Sequence, residues 1–90
     1  IFGDRDGGHA APSEISVTQY VHPDAIKQAE LDPPLAPSGR FYCPDDYRRK
    51  FPDGRIGSDP TLARPEHGER LVSVAGTAIA ETYRSFLAED

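Results

Sequence analysis

The sequence predicts a helical piece of a larger fold, with short helices and one long loop followed by a long amphipathic helix. Three observations carry that reading. Leu71, Ala75, Ala78, Ile79, Tyr83 and Phe86 recur at three- and four-residue spacing, the period of a helix with one apolar face. Six of the nine prolines fall between Asp32 and Pro60, and each removes a backbone donor and restrains its predecessor, so long regular elements cannot form there. Only 37% of the 90 residues are hydrophobic, with no Trp and no Met, a thin supply for an independent core.

Taken in order, Ile1 and Phe2 read as the end of a strand feeding a loop, and Asp6-Gly7-Gly8 as a turn. From Ser13 to Val21 the propensities conflict. Ile15, Val17, Thr18, Tyr20 and Val21 favour a strand, whereas Pro12 at a first helical position and Glu14 in a first turn favour a helix, the reading adopted. Pro23 closes it. Within the proline-rich excursion, Pro44 to Phe51 reads as a short helix with acids first and bases last, the order the helix dipole favours. Pro65 to Ala88 is the long helix, roughly 36 Å at 1.5 Å per residue. Gly76 inside it signals either close packing or tolerance. Nothing else in the sequence is long enough to cover its apolar stripe, so the cover is expected from a preceding segment of the protein or from another subunit.

Composition excludes several functions. The formal charge is -5 with acids and bases interspersed, and no Lys/Arg run could track a phosphate backbone, so nucleic acid is not an expected partner. No apolar run reaches the roughly 18 residues a membrane span requires. Cys43 is the one cysteine, which rules out an internal disulfide framework and suits a reducing cytoplasm. A chain that starts at Ile1 and holds no methionine reads as a fragment, residues 1–90 forming part of a single domain.

Chemistry concentrates at His9 and Glu14. A histidine on a glycine-rich turn, five residues before a carboxylate at a helix start, can place a proton carrier beside an anion. Local chemistry alone leans the other way, toward Glu14 complementing the helix N-terminus and His9 as an exposed turn residue. Asp4 and Asp6 read as ordinary Asp-Gly turn chemistry, and His22 as a helix-end residue. His67 falls in the first turn of the last helix, Cys43 lacks a nucleophile signature, and Arg48-Arg49-Lys50 read as a solvated helix end. No HExxH or Cys/His spacing supplies a self-contained zinc site.

Two stretches together resemble the creatininase (creatinine amidohydrolase) family: DGGHAAPSEIS at 6–16 and GRIGSDPTLARPEHGERLV at 54–72. The matching features are His9-Ala10 with Glu14, the Gly57-Ser58-Asp59-Pro60 turn, and Glu66-x-Gly68-x-x-Leu71 opening a long helix. The resemblance implies the C-terminal portion of a layered α/β fold that hydrolyses non-peptide C–N bonds, such as those of a cyclic amide, creatinine or a formylamine. It also implies a divalent metal pair, Zn²⁺ or Mn²⁺ with Fe²⁺ as a further fit, that activates a water. By position, His9 becomes the acid/base or substrate-orienting group and Glu14 a catalytic carboxylate at the metal. Gly8 and, more loosely, Asp6 would border the substrate. Ala11 and Ile15-Ser16 depart from the family's Gly and Thr-Ser, which leaves the substrate open. The family's Glu-x-His and His-Gly-Gly-Asn segments, which carry most metal ligands, have no counterpart here. The chain alone is therefore expected to hold no metal and to be inactive, its partners being the missing N-terminal segment, a small-molecule substrate and further copies in a homo-oligomer. The alternative is a non-catalytic fragment that docks through its last helix.

Overall fold

Prolines set where the helices begin. In the computed structural model, which describes residues 1–89, three α-helices run Pro12–Val21 (α1), Pro44–Lys50 (α2) and Pro65–Ala88 (α3), with 3-10 turns at Gly3–Arg5, Pro23–Ala25 and Pro60–Leu62. Each α-helix has proline in its first turn, where the missing N–H would have had no intrahelical partner. All three match the helices read from the sequence. For Ser13–Val21, helix-start chemistry and packing override the β-branched propensity.

In α2, Asp46 in the first turn pairs with Arg49 and, at 3.3 Å, with Lys50 in the last, and Asp45 pairs with Arg48 at 3.2 Å. The basic trio is thus the solvated helix end expected of it. Behind it Phe51, 2% exposed, packs edge-on to Phe41 and tilted against Tyr47, whose hydroxyl donates to the Gly54 carbonyl at 2.7 Å.

α1 and α3 meet at Ser16 and Gly68. Ser16 is fully buried; its hydroxyl donates to the Pro12 carbonyl at 2.7 Å and accepts the Arg64 N–H at 3.0 Å. That second bond satisfies one of the orphan donors at the start of α3. A Cβ on Gly68 would overlap the Ser16 carbonyl and lie 2.9 Å from the Val17 nitrogen. Gly76, by contrast, has open space around it, so tolerance is the correct one of its two readings.

Two expectations need correction. The first residues form no strand, because no strand lies beside them; Phe2 instead sets its ring edge-on to His67 at 5.3 Å. Of the α/β layering, the described residues show the helices and no strand, only an isolated antiparallel bridge between His9 and Ile56. α1 meets the start of α3 at Gly68, ahead of the apolar stripe, and Leu71 is the one stripe residue that is half-buried. Beyond that contact the stripe is bare, with Ile79 69% and Phe86 66% exposed.

The result is an open body. Its radius of gyration is 16.3 Å, against roughly 12 Å for a compact domain of this length. Its 6888 Å² of accessible surface exceeds the roughly 5,200 Å² of a compact chain of this mass. The only buried hydrophobic residues among those described are Ala11, Ala36, Phe51 and Ala63.

The two helical glycines should therefore respond oppositely to one substitution. Gly68→Ala is expected to lower stability by about 1–3 kcal/mol through overpacking, and Gly76→Ala to raise it by about 1 kcal/mol through helix propensity. Thermal unfolding of both variants checks this; shifts of the same sign would rule out the tight α1–α3 contact.

Candidate functional site

The loop 6–11 is shaped by close backbone approach. Gly7 has φ of +72°, and a Cβ there would clash with the main chain of Ile56, Gly57 and Ser58. Only glycine fits that position. Gly8 donates its N–H to the Ile56 carbonyl at 2.8 Å, and Ile56 returns an N–H to the His9 carbonyl at 3.3 Å. Ala10 then adopts φ of +56°, a left-handed conformation rare outside glycine, asparagine and aspartate. It turns the chain out of the bridge and into α1. His9 is left exposed, its imidazole free of hydrogen bonds among the described residues.

The two carboxylates of the loop look the other way, into the first turn of α1. Asp6 accepts the Ser13 N–H and the Ser13 hydroxyl, each at 2.9 Å. Glu14 accepts the Ala11 N–H through Oε2 at 3.1 Å. Both therefore neutralise orphan donors at the positive end of the helix dipole. Asp6, read as weakly substrate-bordering, is a latch between loop and helix. Gly8 does border a recess of about 420 Å³, together with Asp4, Arg5, Gly7, Leu35 and Ile56. His9 and Glu14 do not line it.

The remaining sequence candidates lie elsewhere. His22 ends α1 and is exposed, and exposed Cys43 precedes α2. Half-buried His67 meets Phe2 edge-on. No group of three or more His, Cys, Asp or Glu side chains that could hold a metal ion occurs among the described residues. With Asp6 and Glu14 engaged by α1, these side chains do not by themselves fit a metal pair.

Sequence reasoning missed what holds the loop in place. Arg55, 4% exposed, donates from Nε to Asp53 at 2.7 Å and from its two terminal nitrogens to the Pro34 and Pro33 carbonyls at 2.7 and 2.8 Å. One guanidinium thus anchors the proline-rich excursion beside Ile56, the residue that pairs with His9. Asp59 is buried next to Thr61, which donates both its N–H, at 3.1 Å, and its hydroxyl; Arg5 stands 3.9 Å away. Asp59 donates its own N–H to the Arg5 carbonyl at 3.0 Å. The available signal was GRIGSDP, an arginine and an acid among turn residues, but spacing alone does not say which carbonyls a guanidinium will reach.

The model of the creatininase family, described as creatinine amidohydrolase, matches residues 2–83. The chain belongs to that family. Its members are hydrolases, generally metal-dependent, and the family implies an α/β fold. The match takes in the N-terminal region of the chain and stops at Tyr83; by itself it does not assign the chain to the C-terminal portion of the family's fold. No curated protein matches the chain. No helix among the described residues is long and apolar enough to cross a membrane.

The hydrogen bonds from the Arg55 side chain and backbone hold the Asp53 carboxyl below its ordinary 3.8, outweighing its slight burial. A folded-state pKa below the unfolded one contributes stability that is complete above the unfolded value and lost as pH falls through the folded value. Asp53 is half exposed, so solvent screens the effect. The stability difference between wild type and Asp53→Asn is expected to hold constant down to about pH 4 and to shrink below it. Urea unfolding between pH 6 and 2 tests this; a difference constant throughout would show that the ion pair contributes nothing.

Proposed function

We propose that this chain is part of a creatininase-like amidohydrolase that cleaves a non-peptide C–N bond in a small cyclic amide, a creatinine-like ring or a formylamine. The observation that carries the reading is the family match over residues 2–83. The metal pair, Zn²⁺ or Mn²⁺ with Fe²⁺ as a further fit, is held by segments outside these 90 residues, the chain forming the C-terminal part of one layered α/β domain in a cytoplasmic homo-oligomer. When bound, such a pair supplies a nucleophilic water and polarises the carbonyl.

This chain's own contribution is the exposed His9. Hydrolysis of a C–N bond leaves a nitrogen that must gain a proton, and an imidazole, able to carry a proton on a ring nitrogen, can deliver it or hold the substrate for its delivery. The bridge to Ile56 and the turn at Ala10 fix the backbone that presents the ring. Glu14 holds the start of α1 with Oε2 and keeps Oε1 for the site. Gly8 borders the adjoining recess.

A second reading rests on the bare face of α3: Ile79, Tyr83 and Phe86 suit a non-catalytic fragment docking on another protein through that helix. It predicts tight capture of a partner by the 90-residue chain and no turnover by any longer form.

In the full-length protein with Zn²⁺ or Mn²⁺, His9→Ala is expected to lower turnover of creatinine or another cyclic amide by about 10²- to 10⁴-fold, and chelation to abolish it. Glu14→Gln keeps an acceptor for the Ala11 N–H and removes only the charge, whereas Glu14→Ala also loses the cap, about 1 kcal/mol. Wild-type turnover in His9→Ala would remove the histidine from the mechanism. Wild-type turnover in Glu14→Gln would leave Glu14 a capping residue.

A further inference from the structure

A recess of about 540 Å³ lies between α1, the 3-10 turn Pro60–Leu62 and the segment 26–31. Ile15, Ile26 and Ala63 give it apolar walls, and Gln19, Lys27 and Arg64 line it with polar groups. Ala10 of the loop 6–11 borders it, but His9, Glu14, Gly8 and Asp6 do not line it.

The charges along this recess do not cancel. Asp53 and Arg55 also line it, but they are spent on each other and on the Pro33 and Pro34 carbonyls. Arg64 uses one terminal nitrogen on the Thr61 and Ala63 carbonyls, at 2.9 and 2.7 Å, and its other side-chain donors make no bond among the described residues. Lys27 has no carboxylate within ion-pair distance among the described residues. Two cationic side chains thus line the space uncompensated. Gln19 adds the opposite requirement: its Oε1 is buried and accepts no hydrogen bond among the described residues, a costly state for a carbonyl oxygen. A ligand that satisfies all three groups carries a carboxylate for Lys27 and Arg64 and an N–H for Gln19.

The choice among such ligands rests on the amidohydrolase reading. When water adds across the C–N bond of a cyclic amide, the carbonyl carbon takes the hydroxyl and the nitrogen takes the hydrogen. The ring opens to one molecule that bears both a carboxylate and an N–H, whereas the closed ring has no carboxylate. We propose that this recess is a binding site for the ring-opened product class, with Lys27 and Arg64 on the carboxylate and Gln19 Oε1 accepting the N–H. It discriminates opened product from cyclic substrate by charge.

Calorimetric titration of creatine, the acid formed by hydrolysis of creatinine, into the full-length protein tests this, with and without a chelator. Binding is expected to persist without metal, to exceed that of creatinine, to be unchanged in His9→Ala, and to weaken about tenfold in Lys27→Gln and in Gln19→Leu. Lys27 is exposed, so loss of folding cannot mimic its effect. The site is overturned if the metal-free protein binds no creatine, or if both variants bind it as wild type does. The two proposals fail separately: turnover without this binding would remove only the recess, and binding without turnover would remove only the amidohydrolase reading.

Discussion

The contact between Ser16 and Gly68 determines where everything else can lie. There two helices approach to backbone distance, and the contact is made from a buried hydroxyl and a missing side chain. The serine hydroxyl closes a hydrogen bond within its own helix and receives another from the first residues of α3. The crossing is therefore fixed in angle and register as well as held together. Because α1 begins directly after the histidine loop, fixing α1 also fixes the end of that loop. The other end is fixed by Ile56, which Arg55 ties to the proline-rich segment.

The loop and the helix starts share a single supply of carboxylates. Asp6 and Glu14 satisfy N–H groups that the start of α1 leaves open. A carboxylate so engaged is ordered, which suits it to hold a neighbouring group in place. The histidine, by contrast, has both ring nitrogens free of hydrogen bonds among the described residues. This division separates engaged side chains from an unengaged one within nine residues.

Much of the architecture was legible in the sequence because it is written locally. Proline at a first position, acids before bases, and three-and-four spacing mark α1, α2 and α3 without reference to anything distant. What escaped was set by long-range approach. Gly68 looked like part of a family motif, and its role became visible only against Ser16, 52 positions earlier in the sequence. Arg55 belongs to a stretch of turn residues, and its partners are carbonyls, which every residue has and no sequence pattern singles out. The candidate histidine was legible as chemistry. That the carboxylates near it serve the helix was legible too, as the bland alternative, and the hydrogen bonds show that role to be present.

Of the six helical elements, five begin with proline: Pro12, Pro23, Pro44, Pro60 and Pro65. A ring that fixes φ in the folded chain fixes it in the unfolded chain as well, so each removes conformations that folding would otherwise have to give up. For a body with so little buried apolar surface, part of its persistence then resides in the poverty of its disordered state. The helix boundaries of this chain are in that sense already half decided before any contact between α1 and α3 has formed.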